Sequence, residues 1–245
     1  MNDLSVAQTI LIGLIFIWTG FVRTGLGFGG AALGLPLMLL VLPEPLLFLP
    51  IIGIHLLFFS SITVFNRLDN VDWKYLWQSL FIMIIPMAAG ILGLLNLSGE
   101  LLSQIVFVIT LFYGLTYIFN YKLNSSNKWI DTLLLVLGGY ASGTSLVGAP
   151  LIVAVYMQHV AQNRLRDTLF VLWFVLVCVK LTAFIIADVN LQLRYAIYLL
   201  PIAAVGHFIG LHTHDMILKS GGVQFKRIIG AVMVMITLTG FWQLY

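Results

Sequence analysis

The sequence predicts an all-α polytopic membrane protein built from two inverted-topology repeats, each a broken or re-entrant helical hairpin plus three transmembrane helices. Three observations predict it. The first is composition: 61% of the 245 residues are hydrophobic and only 9% are charged, too few charges to solvate a soluble domain of this size. The second is a glycine-rich interruption, Gly20–Leu40 (GFVRTGLGFGGAALGLPLMLL), inside a long apolar run. Backbone released from a helix at membrane depth must be buried in protein or line a cavity, so the break marks a candidate functional site. The third is that the break recurs 118 residues later in Gly138–Tyr156 (GGYASGTSLVGAPLIVAVY), with Gly20, Gly25, Gly30 and Leu33 falling on Gly138, Gly143, Gly148 and Leu151. The same register carries Asn70-Val71-Asp72 onto Asp188-Val189-Asn190. Residues 1–122 and 123–245 therefore read as two copies of one unit within a single integral membrane domain.

In chain order, Val6–Val22 is a first apolar segment that ends at Arg23, without the basic start of a cleaved signal peptide. After the break, Gly30–Leu42 is a short segment closed by Pro43-Glu44-Pro45. Leu46–Phe65 reads as a full span, Asn66–Lys74 as a polar loop, and Tyr75–Leu95 and Leu101–Tyr121 as further spans. Lys122–Lys128 links the halves. Trp129–Tyr140 and Gly148–His159 are short segments around the second break, and Leu165–Ala187, Leu193–Leu211 and Ile228–Tyr245 are full spans. A helix of about 13 residues reaches about 20 Å, against a hydrocarbon core of about 30 Å. Three of the four segments flanking the breaks are thus too short to cross. Each pair reads as a re-entrant hairpin, with two thin, tilted spans as the alternative.

Loop charge sets the orientation. Arg67, Lys74, Lys122, Lys128, Arg164, Arg166, Lys219, Lys226 and Arg227, nine of the twelve basic residues, fall on one face, and Arg194 alone falls on the other. The positive-inside rule places the nine in the cytoplasm and both termini outside. One half then starts outside and the other inside, which makes the repeats inverted, the architecture of secondary transporters. Trp73, Trp77, Trp129 and Trp242 sit near span ends as interfacial anchors. No extramembrane stretch has room for a soluble catalytic or nucleic-acid-binding domain, and the single Cys178 excludes a disulfide framework.

In the inverted arrangement the two glycine tips meet near the midplane. The helices that follow, from about Gly29 and Gly148, point their N-termini at the meeting point, where free N–H groups favour an anion. Gly25, Gly27, Gly29, Gly30, Gly143 and Gly148 let backbone approach a small ligand; Phe28, Val147 and Ala149 line the same turns, Thr144 and Ser145 offer hydroxyl donors, and Arg23 offers a planar fork for an oxyanion. The competing reading for any one glycine is close helix packing, and Arg23 faces Ala141 in the second copy, with an aqueous vestibule as its alternative destination. Lys180, inside a span, either attracts the anion or snorkels to the outer interface. His55 and His207 lie inside spans as packed groups or proton carriers. His212, His214 and Asp215 form only a superficial metal trio, so no metal and no cofactor is expected. No Asp or Glu lies deep in a full span, and Asp131 comes nearest, at a segment's start. An anion leaving a negative-inside cell gains about 2.3 kcal/mol per charge per 100 mV, so export needs no coupling carboxylate.

At GLGFGGAALGLPLML, at its copy GTSLVGAPLIVAV and at Asn70-Val71-Asp72-Trp73, the chain resembles the TauE/SafE family of sulfite and organosulfonate permeases, over nearly its whole length. The second copy departs from the usual triple-glycine form at Ser145 and Val147 and retains Pro150. The resemblance implies an inner-membrane carrier of sulfur oxyanions. The expected function is export of sulfite or an organosulfonate by alternating access, with uptake of thiosulfate or a sulfonate, or a passive anion channel, as alternatives. The buried polar inventory is too thin for an enzyme. The expected partners are the small anion and the lipid bilayer, with a homodimer allowed and no nucleic acid.

Overall fold

A computed structural model describes residues 4–25, 30–65, 67–120, 127–219 and 223–244, with only the backbone for 214–219 and 225–226. Among the described residues the structure is all-helical: α1 (Val6–Gly25), α2 (Gly30–Val41), α3 (Pro45–Val64), α4 (Trp73–Asn96), α5 (Gly99–Ile118), α6 (Lys128–Ser145), α7 (Ala149–His159), α8 (Gln162–Ile186), α9 (Leu193–Lys219) and α10 (Val223–Leu244), with a single 3₁₀ turn at Leu68–Asn70. Seven of them, α1, α3, α4, α5, α8, α9 and α10, contain stretches long and apolar enough to cross a membrane. The chain is a multi-pass membrane protein.

Local chemistry sets the helix starts. The Asp72 carboxylate accepts the Tyr75 amide at 3.0 Å and caps α4. Asn190, its counterpart in the repeat register, accepts the Gln192 amide at 2.9 Å just before α9. Asn127 accepts the Trp129 amide at 3.0 Å and caps α6. Pro45 opens α3, and Pro150 lies in the first turn of α7, where a missing N–H costs nothing.

The two short arms, α2 with 12 residues and α7 with 11, reach about 16–18 Å and fall short of a bilayer. α6 differs from the expected short segment: it runs 18 residues to Ser145, straight through Gly138, Gly139 and Gly143. Its glycines stay helical because α4 packs on them. A Cβ on Gly139 would lie 2.8 Å from the Met83 carbonyl oxygen, and one on Gly143 would lie 3.0 Å from the Gly90 Cα and collide with the Met87 carbonyl oxygen. Two of the four segments flanking the breaks, not three, are too short to span. The linker residues 121–126, with Lys122, and the Ser-Gly-Gly of 220–222 lie outside the described residues.

The chain forms two compact units. Unit 1 comprises Met1–Phe48, Gly99–Tyr121 and Leu193–Tyr245; unit 2 comprises Leu49–Ser98 and Lys122–Gln192. In unit 1, α1 packs along α9, α5 along α10, and α2 lies against α1, α5 and α10. The α1–α9 seam is made of small residues: Gly20 meets the Ala203 backbone, Gly206 meets Ile17 and Phe21, and Gly210 meets Gly25 and Thr24. In unit 2, α4 packs along α6, α7 lies against α6, and α8 contacts α4 and α7. The register that maps Gly20 onto Gly138 maps α1 onto α6 and α4 onto α9. The principal pairs of the two units, α1 with α9 and α6 with α4, are thus the same pair, and each joins the first helix of one half to the fourth helix of the other.

Candidate functional site

The first break is built on the end of α1 and the start of α2. Arg23, Thr24 and Gly25 form the last turn of α1, all buried, and Gly30 opens α2. Gly27, Phe28 and Gly29 lie outside the described residues. α2 turns back tightly on α1: a Cβ on Gly30 would stand 2.9 Å from both the Arg23 Cβ and the Thr19 carbonyl oxygen, and Gly34 rests on the Thr19 methyl. Glycine at position 30 is required by this approach of two chain segments. Arg23 is 6% exposed. Beside it, Thr24 Oγ1 lies 2.6 Å from His207 Nδ1 of α9, so the structure brings the intramembrane His207 to the first break.

The second break is narrower. α6 ends at Ser145, Leu146 takes the left-handed conformation (φ 57°), Val147 follows, and Gly148 caps α7, which begins at Ala149. A left-handed leucine costs roughly 1–2 kcal/mol. Leu146 is held there by burial and by its N–H, which donates to the Ser142 carbonyl at 3.2 Å. Gly148 packs on the Gly138 carbonyl and the Ser142 hydroxyl so closely that a Cβ would overlap both. Gly143, Thr144, Ser145, Val147, Gly148 and Ala149 are all buried. The hydroxyls of Thr144 and Ser145 donate to the carbonyls of their own helix, Thr144 to Ala141 at 3.2 Å and Ser145 to Ala141 at 3.1 Å. An anion would have to compete for them.

Lys180 does not snorkel. It is 1% exposed, and its Nζ donates to the Gly143 carbonyl at 2.7 Å and the Ser142 carbonyl at 3.1 Å. These oxygens belong to the last turn of α6, at the negative end of the helix dipole, and the Ser142 carbonyl also accepts the Leu146 N–H. An amine from α8 thus ties down the end of α6 beside the break. The carbonyl oxygens of a helix end are invisible in sequence, which shows only that no carboxylate stands opposite the lysine. His55 is buried in α3, edge-on to Phe59 of its own helix at 6.4 Å.

Sequence reasoning missed one cluster. At the base of the second hairpin, His159 Nε2 lies 2.8 Å from Asp131 Oδ2. Tyr75 stacks on His159 with ring centres 5.2 Å apart and meets Tyr156 edge-on at 5.1 Å; the Tyr156 hydroxyl bonds Ser79 Oγ. Asp131 is at the start of its segment as expected, yet it is buried. The spacing of Asp131 and His159 matches no local motif; only the fold-back of α7 on α6 brings them together. Asn70 also gains a role: its amide donates to Asp167 Oδ2 at 2.7 Å and to the Asn163 carbonyl at 2.8 Å, docking the α3–α4 loop on the start of α8. The side chains of His214 and Asp215 lie outside the described residues.

Compared with known protein families, residues 12–239 match the family described as Sulfite exporter TauE/SafE. No curated protein and no solved structure matches the chain. A match over nearly the whole length settles membership: the chain belongs to the TauE/SafE family.

Proposed function

We propose that this chain, as a TauE/SafE family member, is a secondary transporter that exports a small sulfur-containing anion, sulfite or an organosulfonate, across the inner membrane by alternating access. The observation that carries the reading is the family match over residues 12–239. Several features support it. Each unit holds a buried hairpin with one short arm, α2 or α7. Each break has a buried basic side chain beside it, Arg23 at the first and Lys180 at the second. The substrate-handling residues are Arg23, Gly25, Gly27, Phe28, Gly29 and Gly30 of the first break and Gly143, Thr144, Ser145, Val147, Gly148 and Ala149 of the second. The halves 1–122 and 123–245 are inverted repeats, a reading supported by the equivalent pairing of α1 with α9 and of α6 with α4. Both termini lie outside, and Arg67, Lys74, Lys128, Arg164, Arg166 and Arg227 face the cytoplasm. Besides the anion and the bilayer, the only partner the reading allows is a second copy of the chain in a homodimer. The membrane potential favours exit of an anion by about 2.3 kcal/mol per charge per 100 mV.

The test is counterflow in proteoliposomes with sulfite, thiosulfate and methanesulfonate, with chloride and sulfate as competitors. Saturable exchange of a sulfur anion is expected, reduced tenfold or more in Arg23→Gln. Failure of every sulfur anion to move sinks the substrate assignment, and flux that neither saturates nor exchanges identifies a channel instead.

A further inference from the structure

The base of the second hairpin holds a titratable pair that anion binding does not use. Asp131, in the first turn of α6, and His159, the last residue of α7, are joined at 2.8 Å. The two side chains differ in access: 39% of His159 is exposed against 10% of Asp131. The second carboxylate oxygen, Oδ1, is buried with no hydrogen-bond partner among the described residues. From α4, the Tyr75 ring covers the imidazole, and Asp72 is engaged in capping the Tyr75 amide. From α8, Asp167 accepts Asn70, and the Arg166 guanidinium lies over the Phe170 ring at 6.0 Å. Tyr156, on α7 itself, is bonded to Ser79. Among the described residues Asp131 is the one acidic group bonded to His159. In the repeat register Gly13 and Val41 stand at the places of Asp131 and His159, so the first hairpin carries no counterpart.

We propose that the Asp131–His159 pair is a proton-binding site that loads one proton with each transported anion. A histidine is the side chain whose charge changes near neutral pH. With Nε2–H donated to Asp131 in both states, the proton adds to and leaves from Nδ1. The pair then alternates between a neutral imidazolium–carboxylate and a net charge of −1 without breaking the hairpin base. α7 is 11 residues long, so about 16 Å of rigid helix joins the pair to Gly148. A proton at one end and an anion at the other attract across that distance by an amount worth about fivefold in affinity at an effective dielectric near 20. Binding of the anion therefore favours binding of the proton, and the proposed cycle carries the two together. A monovalent substrate then crosses as a neutral load, and its own gradient together with the pH gradient, in place of the membrane potential, sets the direction. The inference rests on the transport reading but not on its direction.

The experiment uses the full-length protein in liposomes with a trapped pH dye. An inward gradient of methanesulfonate or thiosulfate is applied, since both stay deprotonated at neutral pH and carry no proton themselves. Wild type is expected to acidify the lumen in step with anion entry. Asp131→Asn and His159→Gln are each expected to lower the dye response tenfold or more while retaining counterflow, which needs no net proton movement and shows that the variants are assembled. Asp131→Glu is expected to restore the response. A silent dye alongside intact wild-type counterflow overturns the proton site and leaves the transport reading standing. Absent wild-type counterflow overturns both. An undiminished dye response in the two variants places the proton elsewhere and overturns the assignment.

Discussion

Replacing Gly143 by alanine tests whether the glycines of the second break serve packing or ligand approach. The new Cβ would lie 3.0 Å from the Gly90 Cα and from the Ile91 amide nitrogen, and would overlap the Met87 carbonyl oxygen, all on α4. Ordinary contact begins at 3.4 Å, so α4 and α6 must part by roughly 1 Å, and overpacking of this kind costs about 1–3 kcal/mol. Alanine also gains about 1 kcal/mol of helix propensity. Gly13→Ala supplies the control, because a Cβ there meets nothing within 4 Å. Its propensity gain is the same, so the difference between the two variants isolates the packing cost. At about 2–4 °C per kcal/mol for a chain of this size, Gly143→Ala should melt about 5 °C below Gly13→Ala in a thermal-shift assay of detergent-purified protein. Equal melting points would refute the close α4–α6 approach. Equal melting points with counterflow lost only in Gly143→Ala would make Gly143 a ligand contact.

Two further outcomes follow from the polar groups at the breaks. Lys180→Met strands the Gly143 carbonyl in a buried site at about 1–3 kcal/mol, while the Ser142 carbonyl keeps the Leu146 N–H, and the loss is partly offset by no longer burying an amine. A net loss of about 1 kcal/mol is expected, with faster amide hydrogen exchange at Leu146 and Val147; unchanged exchange would show that Lys180 does not hold the end of α6. Thr24→Val conserves volume but removes the 2.6 Å contact with His207. It should lower stability by about 1 kcal/mol in the same thermal-shift assay, and an unchanged melting point would show that the contact adds nothing to the α1–α9 seam.

Much of the fold was legible locally. The α2 boundaries differ by one residue from the expected Gly30–Leu42, and the ends of α3 and α4 differ by one or two, because apolar length, proline placement and loop polarity are properties of short stretches. The start of α6 followed from sequence, but its end did not. Gly138, Gly139 and Gly143 read as breakers, yet α4 fills the space their missing side chains leave, and the helix continues to Ser145. Packing from a distant segment overrode local propensity.

The sequence by itself determined that this is a helical membrane protein, where its two breaks fall, and which family it belongs to, because hydropathy and glycine spacing are written along the chain. The tertiary structure alone decided which helices share a unit, so that α1 lies on α9 and α6 on α4. It turned Lys180 from a lone intramembrane charge into the cap of α6. It also set Asp131 against His159, across a fold-back that no local pattern announces. The physical reason is the same in each case. A buried polar group must find a partner, and only the folded path of the backbone determines which carbonyl or carboxylate comes within reach.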